Sequence, residues 1–384
     1  MKVLFLSSWF PNRIQPFNGD FVERHALSVS RICDTAVVHV QADDTMKTQF
    51  FEVVEKDKIA LHEIIIYFKR NNSRIKLWAR TVNLFRYGRG YRIGFRILRH
   101  KFGKPDIIHA NLIYPVAVVA WGYSMFTAIP YIISEHWTQY LSENISSIPS
   151  SWIMRLSAKN AFAVVPVTSG LEQALRRHGY GSNFTVIPNV VDTTVFKPCP
   201  VTGESGTCRF LHVSSMKEEQ KNITGIIRTI KRLSEIRHDF RITFIGDARD
   251  HQKELPRELG LPEGMITFKG EMTHVEVAEN MQQSDVLVMF SRFENLPCVI
   301  LEAWSCGLPV ISSDVGGIRD WIREDNGLLV KPENEYELLN GLVFLLDHYQ
   351  SFDRDALHRY AHDHFSQEVI ARKFYDVYQK ALKA

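Results

Sequence analysis

The stretch Val286–Gly317, VLVMFSRFENLPCVILEAWSCGLPVISSDVGG, decides the fold. Val286–Ser291 is a short, nearly continuous apolar run, the pattern of a strand covered on both faces. Pro297 opens a helix, because proline suits a first helical turn. Pro309–Ser313 is the next strand. Strand, helix and strand in this order are one unit of a parallel sheet.

The same alternation runs along the whole chain. Lys2–Ser8, Thr35–Gln41, Glu63–Phe68, Asp106–Asn111, Tyr131–Glu135, Phe162–Thr168 and Phe184–Pro188 read as strands of the first half. Arg209–Ser215, Arg241–Gly246, Met265–Gly270, Val286–Ser291, Pro309–Ser313 and Gly327–Val330 read as strands of the second. The expectation is an α/β protein of two tandem doubly wound, Rossmann-like domains facing a cleft. The domains read as 1–190 and 191–365, joined near Asn189–Thr207, where Pro198, Pro200, Gly203 and Gly206 break any pattern.

With 384 residues, 45% hydrophobic, 23% charged and net charge +3, the chain is neither disordered nor collagenous nor a coiled coil. Residues 1–190 carry net +10 and 191–384 net −7 (23 Lys+Arg against 13 Asp+Glu, then 23 against 30). Opposite signs predict different partners for the two domains. The five cysteines, Cys33, Cys199, Cys208, Cys298 and Cys306, form no C-x-x-C, so neither a disulfide framework nor a zinc site is implied. MKVLFLSSWFPNR has too short an apolar run for a signal peptide and suits a first strand. Asn111–Ser134 is uncharged and long enough to span a bilayer, but Pro115, Gly122 and Pro130 interrupt it. It reads as a buried helix from Pro115 between two strands.

Ligands of such sheets bind beyond the carboxyl ends of the strands. Glu294 sits in a turn of that kind, and Glu302 follows eight residues on, about two helical turns along one face. Carboxylates there can accept hydrogen bonds from sugar or ribose hydroxyls. Singly, Glu294 reads better as a helix N-terminal charge and Glu302 as an exposed one. Glu302, however, lies among Val299, Ile300, Leu301, Ala303 and Trp304, where a carboxylate needs a partner.

Ser291–Gly317 resembles the signature of glycosyltransferase family 4, retaining enzymes of the GT-B fold. That signature is Glu, seven residues, Glu, Ala, a Cys-Gly-Leu-Pro-Val stretch and a Gly-Gly turn. Glu294, Glu302, Ala303, Cys306, Gly307, Leu308, Pro309, Val310, Gly316 and Gly317 match it. The resemblance implies that Glu294, with Asn295 and Leu296 beside it, contacts the donor sugar, and Glu302 the ribose of a nucleotide sugar. Ile187–Asp192 resembles the family's interdomain Pro-Asn-Gly-Val-Asp segment, with Val190 in place of Gly. Val213–Asn222 resembles its diphosphate loop: Lys221 matches the Lys, while Ser215 or Met216 stands where an Arg is usual, leaving Lys217 or serine hydroxyls as substitutes. Asp247, in Gly246-Asp247-Ala248, and Lys269, in Phe268-Lys269-Gly270, fall in further donor-binding segments. Positioned cations stabilise a leaving diphosphate. Without the resemblance, Lys221 reads as a solvated loop lysine.

In the first half, Gly19 follows the first strand, where an amide without a neighbouring Cβ can approach phosphate. The resemblance assigns His136 to the border of the donor sugar, with His109 as a second candidate and Trp137 and Tyr140 as acceptor-site walls. It implies catalytic roles for His136 and Glu294. It also implies same-face attack in which the leaving diphosphate takes the acceptor proton, and a last helix, 366–384, returning to the first domain. No cofactor or metal is expected, and no Walker A, G-x-S-x-G or G-x-G-x-x-G motif supports another chemistry. His358, His362 and His364 lack H-E-x-x-H and read as a surface helix.

Phe68–Pro105 holds twelve Lys/Arg and no Asp or Glu, with apolar residues interleaved. A basic amphipathic helix over Arg74–Lys104 suits an anionic bilayer, with single-stranded RNA and a plain solvated face as the other readings. The expected partners are a nucleotide sugar, a glycan or lipid-linked glycan acceptor and an anionic membrane surface, with no nucleic acid. The expected location is cytoplasmic, at the inner face of the membrane, and the expected activity is sugar transfer in cell-surface polysaccharide synthesis. A nucleotide-sugar epimerase or hydrolase, or a non-catalytic membrane- or RNA-binding protein, are the alternatives.

Overall fold

The computed structural model describes residues 1–58, 60–141, 151–199 and 206–384. Pro200 and Gly203, read as part of the interdomain join, lie outside the described residues. The chain divides into two compact units, Met1–Pro188 with Ile370–Ala384, and Asn189–Val369.

The first unit is a seven-stranded sheet of β1 (Lys2–Ser7), β2 (Asp34–Asp43), β3 (Phe51–Lys58), β4 (Leu61–Lys69), β5 (Ile107–Asn111), β6 (Tyr131–Glu135) and β7 (Ala163–Pro166). Its order is β3-β4-β2-β1-β5-β6-β7. Every pairing is parallel except β3 with β4, which is antiparallel. Register places Leu4 beside Ala36 and Ile108, so apolar side chains line up across the strands. One face buries Leu6, Val38, Ile66 and Ala110 with Tyr91 and Leu98 of the helix Lys76–Lys101.

The second unit is a six-stranded parallel sheet of β8 (Cys208–Val213), β9 (Phe240–Ile245), β10 (Ile266–Phe268), β11 (Val286–Met289), β12 (Val310–Ser313) and β13 (Gly327–Val330), in the order β10-β9-β8-β11-β12-β13. Ile226, Ile230, Leu342 and Leu345 belong to one core cluster. Ile300, Ala303, Trp304 and Phe365 belong to another.

Four sequence readings change. Phe184–Pro188 is not a strand: it runs beside β7 but makes one bridge, Phe184 to Val164. The Val164, Thr185 and Ile187 N–H groups bond across the two segments, but Pro166 has no N–H to give the next rung of the ladder. β7 stops at Pro166, and Thr168 instead caps the helix Ser169–Arg177, its Oγ1 accepting from the Leu171 N–H at 3.1 Å. β3 was not anticipated, because Phe51–Lys58 is a charged edge strand without a buried stripe. Finally, Pro115 lies in a kinked segment, Ile113–Ala117, in which Tyr114 is extended at φ −115° and ψ 136°, and the α-helix is Val118–Thr127, with only Ala120 fully buried and Met125 and Phe126 exposed.

The basic segment is helical from Lys76 to Lys101, but it is amphipathic only in its second half. Leu77 and Trp78, and seven residues or about two turns further on Leu84 and Phe85, are 57–77% exposed. Further along, Arg89, Arg92, Arg96 and Arg99 are exposed as well. Among the described residues no helix is long and apolar enough to cross a membrane.

Candidate active site

In the second unit the chain beyond β8 passes through a short helical turn, Glu218–Lys221, before the helix Ile223–Ser234. Beyond β11 it forms the Ser291–Pro297 loop. These two loops are joined. The Lys221 ammonium pairs with the Glu294 carboxylate, their side chains 12% and 7% exposed. Gln220 Nε2 donates to the other Glu294 oxygen at 3.4 Å. The Arg292 N–H donates to the Gln220 carbonyl at 2.8 Å. The Arg292 guanidinium donates to the Glu218 carbonyl, to Asn222 Oδ1 at 2.8 Å and to Glu333 Oε1 at 2.7 Å. Charge-assisted bonds of this kind are about twice as strong as neutral ones. Arg292 thus ties together the segments that follow β8, β11 and β13.

The glycine turn of the signature has a mechanical reason. Gly316 lies at φ +60°, and a Cβ there would meet the Glu294 carbonyl oxygen at 2.0 Å. The Gly317 N–H donates to the Asn295 carbonyl at 2.9 Å. Asn189, in the Ile187–Asp192 segment, donates from Nδ2 to the Leu296 carbonyl at 2.7 Å. The Glu294–Leu296 loop is therefore fixed through its backbone on two sides. Glu302 is buried on the helix Cys298–Ser305. Burial, aided by the Glu302 charge, pushes the Cys306 thiol up.

The remaining donor-side candidates are less engaged. Ser215 and Asp247 are exposed. Lys269 is exposed and donates to Asn280 Oδ1 at 2.6 Å. Behind the Ser215 loop, His212 donates from Nδ1 to the Val288 carbonyl at 2.8 Å. Its Nε2 lies 2.8 Å from Ser214 Oγ, which accepts from the Met216 N–H at 3.0 Å. Burial lowers the His212 imidazole to about 4, so it stays neutral and braces this loop.

In the first unit Gly19 caps the helix Asp20–Ser30 at φ +78°. A Cβ there would lie 2.3 Å from the Trp9 carbonyl carbon, so the missing side chain already makes room for the chain's own Trp9–Phe10 backbone. His136 sits in the loop after β6, not in the sheet, and is 8% exposed. Its ring packs on Phe21, centroids 4.4 Å apart, and on His25, 5.4 Å. The other candidates take structural places. His109 is fully buried, with Nδ1 2.7 Å from the Tyr378 hydroxyl and Nε2 2.7 Å from Ser134 Oγ, and burial holds its imidazole neutral. Tyr140 is buried in the core rather than walling a surface site, while Trp137 is half-buried against Trp9. His358 donates from Nδ1 to the Ser305 carbonyl at 2.6 Å.

Arg292, Gln220 and Glu135 escaped the sequence reading. Glu135 ends the apolar run YIISE, and the argument applied to Glu302 applies to it equally: a carboxylate in such a run needs partners. Arg292 gave no comparable signal beyond its place at the end of a strand.

Comparison with known proteins completes the description. Residues 38–195 match the family model described as Glycosyltransferase Family 4, and residues 207–348 match Glycosyl transferases group 1. The chain is 32% identical over 191 residues to the lipopolysaccharide 1,6-galactosyltransferase of Escherichia coli K12, covering 48% of this chain and 51% of that protein. The chain therefore spans about half the length of that relative. It is 21% identical over its full length to the putative teichuronic acid biosynthesis glycosyltransferase TuaC of Bacillus subtilis, covering 95% of it. Among solved structures, Anabaena HepE in complex with UDP superposes with a TM-score of 0.73 at 19% identity, over 99% of this chain and all of that one.

Proposed function

The chain belongs to the group 1, family 4 glycosyltransferases of the GT-B fold, and we propose that it is a retaining enzyme moving a sugar from a uridine diphosphate donor to a cell-surface glycan. One observation carries this reading: the ion-paired Lys221–Glu294 unit, held by Arg292 at the carboxyl edge of the second sheet. Lys221 is the cation for the diphosphate, and Glu294 accepts from sugar hydroxyls once a ligand draws the ammonium away. Glu302 is assigned to the ribose, and His136, Asn295 and Leu296 to the sugar. Ser215, Asp247, Lys269 and Gly19 keep lesser donor-side roles. The diphosphate itself takes the acceptor proton as the glycosidic bond to it breaks and the new one forms on the same face. No metal or other cofactor is assigned. The UDP and UDP-glucose complexes of HepE support the donor class. The galactosyltransferase and TuaC names support a lipopolysaccharide-like or teichuronic-acid-like acceptor. Epimerase, hydrolase and non-catalytic readings find no support among these relatives.

We further propose that the helix Lys76–Lys101 rests on an anionic bilayer at the cytoplasmic face. Its outward side runs from the exposed apolar residues Leu77, Trp78, Leu84 and Phe85 to the exposed arginines 89, 92, 96 and 99. That order supports shallow apolar insertion combined with charge attraction.

A thermal-shift panel of nucleotides and UDP-sugars, followed by UDP-release assays with lipid-linked glycans, tests the function. Saturating donor at 100 times Kd is expected to stabilise by about 2.7 kcal/mol. Glu294→Gln is expected to abolish most transfer while UDP still binds. No shift with any uridine nucleotide would sink the donor assignment.

A further inference from the structure

Three backbone amides from two loops converge on one buried carboxylate. Glu135, fully buried at the end of β6, accepts through Oε1 from the His136 N–H at 2.8 Å and the Trp137 N–H at 2.9 Å. Through Oε2 it accepts from the Ile113 N–H at 2.8 Å. The neighbour of Ile113 is Leu112, at φ +79° and ψ 141°, a backbone region that side chains rarely tolerate. Strain of this kind persists only where the surroundings over-determine it, and it gathers at functional sites. Glu135 makes no ion pair among the described residues.

We propose that Glu135 is the positioning residue for His136: its ionised carboxylate locks the strained Leu112–Ile113 turn to the His136–Trp137 loop and so fixes where the imidazole is presented. The inference rests on the role proposed above for His136. An ordinary structural carboxylate would seek a cation or solvent, whereas this one is satisfied entirely by main-chain donors of the segment carrying the proposed catalytic side chain.

Burial raises the Glu135 carboxyl to about 7, against the pull of the three amides. Above neutrality the group is ionised and both oxygens accept from the amides; below it one oxygen carries the proton and accepts less strongly, although the proton itself favours the buried state. The groups facing it are Tyr140 and Tyr180, whose phenols burial pushes up, Arg155 over the Tyr180 ring at 5.5 Å, and His136 itself. His25 lies behind His136, with its imidazole held down to about 4.

Glu135→Gln is the discriminating variant. A glutamine has one acceptor oxygen, so it keeps either the two amides of the His136 loop or the Ile113 amide, and turns an N–H toward the other. The assay is UDP release from whichever UDP-sugar the unsubstituted chain turns over fastest. The expected result is a kcat at least tenfold lower, a UDP Kd within twofold, and loss of the fall in kcat from pH 8 to pH 6. Hydrogen exchange of the unsubstituted chain gives a second reading that needs no variant. Opening that frees the carboxyl to water favours its ionised form, so, corrected for intrinsic rates, protection at Ile113, His136 and Trp137 is expected to weaken together as pH rises through neutrality. A Glu135→Gln kcat within twofold of normal overturns the proposal, as does protection independent of pH across that range. Absence of transfer by the unsubstituted chain would count instead against the proposed function, and the exchange measurement would still decide the lock.

Discussion

Beyond β8, β11 and β13, charged side chains do the holding. Lys221 pairs with Glu294, and Arg292 bridges Glu218, Asn222 and Glu333. Beyond β1, β5 and β6 most of the holding is done by main-chain amides on one carboxylate, by neutral imidazoles and by aromatic rings, and an ion-paired cation of that edge, Arg13, turns to the end of β2 and to β3, where it meets Asp43 and Glu52. His39 donates from Nδ1 to the Ser7 carbonyl at 2.9 Å, and the Tyr91 hydroxyl lies 3.2 Å from the same oxygen. Trp9, Phe21, His25, His136 and Trp137 form a run of ring contacts. The difference follows the chemistry each edge is assigned. A diphosphate brings fixed negative charge and rewards preset cations. Sugar and glycan hydroxyls are neutral and favour aromatic faces with a few placed polar groups.

The comparison can be broken in four places. The largest effect is expected on the outer side of the first unit. Changing Arg89, Arg92, Arg96 and Arg99 together to Gln removes up to about 4 kcal/mol of attraction to an anionic vesicle, at about 1 kcal/mol per charge. Sedimentation with phosphatidylglycerol vesicles is expected to fall steeply with salt and to vanish for the variant, with transfer to a soluble acceptor intact. Tight binding to single-stranded RNA with none to vesicles would replace the bilayer reading.

Next is the pH dependence of stability. The folded Glu135 carboxyl, at about 7, holds its proton more tightly than an unfolded one near 4.5. Between those values the folded chain carries more protons, so its stability falls as pH rises. His25, held to about 4, works oppositely: the unfolded chain gains protons first, so stability falls on acidification below about 6.5. Relative to Glu135→Gln, the unsubstituted first unit is expected to lose about 3 kcal/mol between pH 4.5 and pH 8. Urea unfolding at several pH values reads this directly. The second unit has His212 at about 4 and is expected to lose stability on acidification alone.

Lys221→Ala is expected to weaken UDP binding by about 1.5–3 kcal/mol, the range for a hydrogen bond to a charged group. Titration calorimetry measures it, and an unchanged Kd would shift the phosphate role to Lys217. The smallest effect is at Thr168, whose cap stabilises the helix Ser169–Arg177. Thr168→Ala is expected to cost about 1 kcal/mol, read as a lowered unfolding midpoint, with UDP affinity unchanged.

The sequence carried the parallel strands well, because a strand buried on both faces has to be an unbroken apolar run. β11 and β13 lie where their apolar stretches are. β3 was illegible for the opposite reason: Glu55, Lys56, Asp57 and Lys58 are exposed, so its pairing leaves no stripe. Lys221 and Glu294 were recognisable singly, but their pairing depends on two loops 73 residues apart. Arg292 is the clearest loss. Its three acceptors come from segments that only the folded sheet brings together, and its own surroundings in the chain give no hint of that. His109 misled in the other direction: a histidine ending a strand looks like a site residue, and the Tyr378 hydroxyl that engages it lies 269 residues away.

β3 has one more consequence. It is the outermost strand of the first sheet and leaves a row of backbone donors and acceptors facing away from β4. Such an edge is a template on which a second copy could lay down a strand, the first step of edge-to-edge aggregation. Glu55, Lys56, Asp57 and Lys58 alternate in sign along it, so an incoming strand would have to bury them or match them in register. The same charges that hid β3 from the sequence pattern guard the sheet against growing.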